Sequence, residues 1–283
     1  MYPAKPALPH ILGRDGVGEV VSVGPGVSNV KAGDTVGILR CDVGVEVWGT
    51  LAEKVVVPAS SVAPPPAGWS LEQTAGAPLV YLTAWQALTQ WSDPPAPPPA
   101  GSVLLVTGAS GGVGTASVQL GKSMGLTVVA LSRSAEKGAK LRAMGADHVF
   151  DPGDPNLRKA AMAAIAPKKV DIVVDNVGGA LFNQVLAMLG YGGRISVVGR
   201  SGGAVPSFNT AALFFKRNRI GGVAVSDFTA ELAQSTWKEI TRRLDASGQK
   251  PAVDHVFVFD EVKQAFARLA EGPMGKVLVR VTG

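Results

Sequence analysis

Cysteine is nearly absent: Cys41 is the only one in 283 residues. No disulfide can close within the chain, and a zinc site built on four thiolates cannot form. A lone thiol suits a reducing compartment, so the cytoplasm is the expected location. Histidine is also scarce, and His10, His148 and His255 are far apart. Catalytic zinc usually wants three protein ligands, so no metal set is read from this pattern. No stretch of roughly 18 apolar residues runs without polar interruption, so no membrane span is expected. Met1 to Pro9 contains three prolines and no apolar core of the signal-peptide kind. Charged residues make up 17%, with no run of Lys and Arg interleaved with aromatics, and nucleic acid is not an expected partner. What remains is a globular composition, 46% hydrophobic, with a net charge of +5 that suits a phosphorylated anionic cofactor. The length allows one large domain or two modest ones.

The most informative stretch is Val103-Leu104-Leu105-Val106-Thr107, then Gly108-Ala109-Ser110-Gly111-Gly112-Val113-Gly114, then Thr115 to Met124. An apolar strand enters a glycine-rich turn and leaves as a helix. Such a turn lets backbone approach a ligand closely, and the helix start offers free N–H groups to a phosphate. The strand–turn–helix context makes Ala109, Ser110, Gly111, Gly112, Val113 and Gly114 candidate cofactor-binding residues.

Around that stretch, strand and helix alternate from residue 101 to about 225. The expected strands are Ser102–Thr107, Thr127–Leu131, His148–Phe150, Asp171–Asp175, Gly193–Val198 and Ile220–Val225. Helices are expected over Gly112–Met124, Ala135–Met144, Asn156–Ile165 and Ala180–Leu189. Apolar strands separated by polar-faced helices predict a parallel sheet covered on both faces, and six of them fit the doubly wound Rossmann fold. In that fold the end of the second strand selects the nucleotide, because an acid there binds the ribose diol of NAD. Here the segment reads Ala130-Leu131-Ser132-Arg133-Ser134-Ala135-Glu136-Lys137, with no acid at the strand end. Ser132, Arg133 and Lys137 match a 2′-phosphate instead, which points to NADPH. The loops Asp175 to Gly179 and Val198 to Gly203 also lie at carboxyl ends of strands. They can face a ligand or serve as plain turns, and Asp175 can orient loop N–H groups.

Residues 1 to 66 read as short strands between glycine and proline turns: Gly16–Gly24, Val36–Leu39 and Ala52–Val57. This predicts a small barrel or sandwich. Helices follow over Glu72–Ala77 and Leu79–Trp91, and the proline-rich loop from Asp93 to Ala100 leads into the second domain. A helix over Phe228–Ala246, a strand over Val256–Phe259, a helix over Glu261–Leu269 and a strand over Lys276–Val281 close the chain. The expected domains are 1–91 and 101–247, with 248–283 returning to the first.

Five segments together resemble the zinc-independent quinone oxidoreductase branch of the medium-chain dehydrogenases/reductases. They are Ile11 to Val20, Val30 to Val36, Leu82 to Leu88, the glycine-rich turn, and Gly275 to Leu278. The resemblance implies an α/β chain with a Rossmann domain and a GroES-like β-barrel shortened at its N-terminus. It implies hydride transfer from NADPH to a quinone or to the activated C=C bond of an enone or enal. The alternative is a noncatalytic NADPH-binding or regulatory protein. By resemblance, Thr83, Asn176, Gly178, Val198 and Gly199 serve the nicotinamide side, and Lys276 lies near the cofactor. Phe214 and Phe215 are possible apolar walls for a small carbonyl or quinone substrate, with a core or dimer contact as the other reading. Arg14 and Asp15 are the remaining substrate-cleft candidates, or else they serve in a structural ion pair. Zinc-dependent relatives carry histidine where this chain has Arg14. Enoyl-reductase relatives carry a tyrosine proposed as proton donor in a motif that does not match Tyr2, so no catalytic residue is assigned. The resemblance also implies a homodimer through the edge strand Ile220–Val225.

Overall fold

The computed structural model describes residues 7–204 and 207–282; Tyr2 lies outside them. In chain order the elements are β1 (Val17–Glu19), β2 (Thr35–Ile38), β3 (Val62–Ala63), α1 (Leu71–Gly76), α2 (Pro78–Thr89), β4 (Val103–Val106), α3 (Gly112–Ser123), β5 (Thr127–Leu131), α4 (Ala135–Ala143), β6 (His148–Phe150) and α5 (Leu157–Ala164). They continue as β7 (Val170–Asp175), α6 (Gly179–Met188), β8 (Leu189–Val197), α7 (Ala211–Lys216), β9 (Arg219–Gly222), α8 (Ala230–Ala246), β10 (Val253–Val258), α9 (Val262–Ala270) and β11 (Lys276–Arg280). The chain divides into two units: residues 1–82, 225–242 and 250–283, and residues 83–224 with 243–249.

The second unit holds a six-stranded sheet in the order β6-β5-β4-β7-β8-β9. Every neighbouring pair in it is parallel. All four residues of β4 are fully buried, as a strand covered on both faces must be. Helix α3 lies close on that strand because Gly121 has no side chain: a Cβ there would sit 2.5 Å from Leu104 Cδ2. Ser196, buried in β8, ties α2 to the sheet. Its hydroxyl donates to Ala87 O at 2.6 Å and accepts from Gln90 Nε2 at 3.0 Å and Trp91 Nε1 at 2.9 Å.

The first unit carries two small sheets, antiparallel β1-β2-β3 and parallel β10-β11. Helix α1 starts with a capping box: Ser70 Oγ accepts from Gln73 N at 3.1 Å, and Gln73 Oε1 accepts from Ser70 N at 2.9 Å. Two expected strands come out differently. Ala52–Val57 is not a strand; Val56 is 92% exposed and the segment pairs with no described strand. Gly16–Gly24 contracts to β1, because its partner β2 begins only at Thr35 and leaves Val21 and Val23 exposed. In the second unit β8 starts earlier than expected, at Leu189, and β9 ends at Gly222 before a 3-10 turn over Val225–Asp227.

Candidate functional site

The strand order of the second unit reverses between β4 and β7, where ligands of doubly wound sheets bind beyond the carboxyl ends of the strands. At the end of β4, Gly108 turns the chain with φ +56°, a left-handed conformation that favours glycine. Gly111 is the N-cap of α3, and no side chain closes that helix start. The positive end of the helix is therefore left to a ligand. Gly114 serves packing: a Cβ there would lie 2.3 Å from Gly108 O. The cradle thus fits a dinucleotide pyrophosphate.

A buried carboxylate fixes the facing loop. Asp175 ends β7 with no exposed surface. Its Oδ1 accepts from Thr107 Oγ1 at 2.6 Å, Val177 N at 3.2 Å and Gly178 N at 3.1 Å. Thr107 in turn accepts at Oγ1 from Asn176 N, 2.9 Å, and at its carbonyl from Asn176 Nδ2, 2.8 Å. The β8 loop joins the same knot. Val198 N and Gly199 N donate to Asp175 O at 2.9 and 3.2 Å. A Cβ on Gly199 would meet Asn176 O at 2.7 Å, so only glycine admits this approach. Asn176, Gly178, Val198 and Gly199 therefore share one loop cluster with the glycine-rich turn. The role of Asp175 as an orienter of N–H groups is the one the sequence suggested. Thr107, its partner, is not among the residues the sequence singles out; the signal is a hydroxyl at the end of β4 opposite an aspartate at the end of β7, its neighbour in the sheet.

The segment expected to select the nucleotide lies at the end of β5. Ser132 is 9% exposed and Arg133 is exposed. Lys137 lies in the first turn of α4, half-buried. Ser134 caps that helix, its hydroxyl accepting from Lys137 N at 3.3 Å. Ser134→Ala should cost about 1 kcal/mol of stability, read by denaturant unfolding. Glu136, in the first turn of α4, is taken by Lys140 at 2.7 Å on the exposed helix face. No carboxylate stands at the strand end to repel a phosphate.

The other candidates fall into separate places. Thr83 is half-buried on α2. Phe214 and Phe215 on α7 are 77% and 74% exposed, edge to face at 5.0 Å, so a core role is excluded. In the first unit Lys276 Nζ meets Asp15 Oδ2 at 2.6 Å, a half-buried pair that joins two candidates 261 residues apart. Thr50 Oγ1 donates to Asp15 O at 2.6 Å and fixes this corner, and Arg14 beside it is half-buried. Cys41 is buried, and burial pushes its thiol pKa up, which argues against a reactive thiolate. Among the described residues no three of His, Cys, Asp and Glu converge as a metal site would need, and no helix is long and apolar enough to cross a membrane.

Comparison with known proteins bears on both units. Residues 1–67 match the family model "Alcohol dehydrogenase GroES-like domain", and residues 112–246 match "Zinc-binding dehydrogenase". The quinone oxidoreductase of Rattus norvegicus is 30% identical over 280 residues, which covers 98% of this chain and 82% of that one. The polyketide synthase GfsB of Streptomyces halstedii is 38% identical over 204 residues; that match takes in 71% of this chain and 3% of the synthase. Among solved structures, the Escherichia coli quinone oxidoreductase complexed with NADPH superposes with a TM-score of 0.85 at 26% identity, covering 98% of this chain and 84% of that one.

Proposed function

Since the chain belongs to the quinone oxidoreductase branch of the medium-chain dehydrogenase/reductase superfamily, we propose that it is an NADPH-dependent, zinc-independent reductase of quinones or of activated C=C bonds in enones and enals. The observation that carries this reading is the second unit's crevice: an open helix start at Gly111–Gly114 beside a strand end bearing Ser132 and Arg133 but no acid, with Lys137 in the helix turn that follows. When bound, NADPH supplies the hydride. The protein's part is placement. The start of α3 receives the pyrophosphate, and Arg133 and Lys137 receive the 2′-phosphate. Asn176, Gly178, Val198 and Gly199, with Thr83, hold the nicotinamide side. The Asp175–Thr107 knot keeps those loops fixed before the ligand arrives, which is how orientation lowers a barrier without a reactive side chain.

The family resemblance assigns Lys276, paired in the first unit with Asp15, to the cofactor, and Arg14 to the substrate. Phe214 and Phe215 supply apolar surface for a small carbonyl or quinone. A quinone needs only solvent as proton source, so no catalytic acid is required. A homodimer formed through β9 is supported by that strand having one described neighbour, β8. A cytoplasmic location is supported by the lone buried Cys41. A nucleic-acid role has no basic, aromatic-interleaved stretch to support it.

The test is consumption of reduced nicotinamide by the purified chain with an ortho-naphthoquinone and with a medium-chain alkenal. Turnover on the order of 10 per second with at least one class is expected, faster with NADPH than with NADH. Tight NADPH binding without turnover on either class would establish the noncatalytic reading instead.

A further inference from the structure

A second charged feature of the sheet lies away from the dinucleotide crevice. Arg194 in β8 is the direct register partner of Arg219 in β9. Residues two apart on a strand share a face, so Arg194 and Ser196 lie on one side of β8, with Arg219 and Gly221 beside them on β9. Trp91 covers that face. Its indole donates to Ser196, and its ring takes the place a Gly221 side chain would fill, 2.9 Å from the Cβ position. Arg219 lies over the same ring, Cζ 5.6 Å from the centroid.

Two arginines therefore stand directly opposite each other on adjacent strands, and the Arg219 charge acts against that of Arg194, an arrangement that is destabilising in itself. Neither forms an ion pair among the described residues, and Arg194 Nε is buried without a hydrogen-bond partner. Asp171 is the nearby acid, beyond ion-pair distance, and its carboxylate accepts from Val103 N at 2.7 Å. Burial and the Arg219 charge hold the Arg194 guanidinium below its usual pKa, with Asp171 acting the other way. Arg194 is three residues, about 10 Å, short of the carboxyl end of β8, so this pair is not part of the nucleotide-phosphate edge.

We propose that Arg194 and Arg219 form an oxyanion site that takes a phosphate dianion, free or as a monoester, between their guanidinium groups on the Trp91 face of the sheet. Planar guanidinium forks match phosphate oxygens two at a time. An anion there converts the like-charge contact into two attractive ones and gives Arg194 Nε an acceptor. The ring of Trp91 fixes the Arg219 fork from one side, so it needs little ordering on binding.

Isothermal titration of the chain with inorganic phosphate and, separately, with glycerol phosphate tests this in chloride buffer of matched ionic strength. With saturating NAD+ occupying the start of α3, the Arg133→Gln/Lys137→Gln double variant, in which the 2′-phosphate edge is also disabled, should still bind one ion per chain. Adding Arg194→Gln or Arg219→Gln to that background should weaken binding at least about tenfold. Comparison of the two ions shows whether free phosphate or a monoester is preferred. Absence of saturable binding in the double variant, or binding that survives both arginine replacements, overturns the proposal. Arg219 is exposed, so its replacement decides the matter if Arg194→Gln does not fold.

Discussion

Gly114→Ala will lower both the stability of the chain and its affinity for NADPH, whereas Gly111→Ala will lower mainly the affinity. The two glycines are three residues apart and do different things. A Cβ on Gly114 would lie 2.3 Å from Gly108 O and 2.7 Å from both Cα and C of Ala109. Those are backbone atoms of the turn itself, so relief requires the turn to move off the helix. Overpacking of this kind costs about 1–3 kcal/mol. Moving the turn also misplaces the helix start that receives the pyrophosphate, and affinity should fall by roughly two orders of magnitude, about 3 kcal/mol. At Gly111 the backbone is ordinary, φ −75° and ψ 173°, and a Cβ would stand 3.5 Å from Gly108 O, a normal contact. Stability should change by about 1 kcal/mol or less, the scale of an N-cap replacement. A methyl group at the mouth of the helix would nonetheless occupy the space a phosphate needs. Chemical denaturation and a fluorescence titration with NADPH, run on both variants, separate the roles. Unchanged NADPH affinity in both would show that the turn is structural only.

That division of labour was visible in the sequence only as a pattern. The parallel sheet was easy to read because its strands are buried on both faces: Val103–Val106 and Val128–Leu131 are continuous apolar runs, and the structure places β4 and β5 there. The small sheets of the first unit were harder. Ala52–Val57 has strand-like composition, but strand propensity expresses packing against a partner, and no described strand pairs with it. At β8 the sequence ends the expected helix at Leu189 and begins the expected strand only at Gly193, after two further glycines at 190 and 192. Leu189 leaves helix α6 directly into extended backbone, φ −60° and ψ 139°, and pairs with Val170; the register then breaks, and pairing with β7 resumes at Arg194 beside Ile172. In the site, residues of the strand–loop units were legible from local order. The Lys276–Asp15 pair was not, because nothing local links positions 261 apart. The two had been singled out for different tasks, and their contact makes a change at either one a change at both.

Replacing Arg133 and Lys137 together by glutamine should raise the KM for NADPH by about 10²- to 10³-fold while leaving that for NADH almost unchanged. Each charge-assisted hydrogen bond to a phosphate contributes on the order of 1.5–3 kcal/mol, and the two together account for that range after allowance for exposure. Arg133 is exposed, so nothing in the fold depends on it, and the unfolding midpoint should stay within the range of a surface change. Lys137 follows the Ser134 cap, and its backbone N–H, which holds the helix start, is retained in the glutamine variant. The effect must also weaken with salt. At an exposed edge, ionic strength screens the attraction, so the preference for NADPH over NADH should narrow as salt rises in the parent and stay flat in the variant. Glu136 sharpens the argument. Its carboxylate is engaged by Lys140 on the outer face of α4, one turn from the strand end. Lys140→Ala would free that acid without touching Arg133 or Lys137, and a modest loss of NADPH preference is expected from it alone. The paired measurement is kcat/KM for both nucleotides across the parent, the double variant and Lys140→Ala. Equal losses for NADPH and NADH in the double variant would place the 2′-phosphate elsewhere and remove these two residues from cofactor selection.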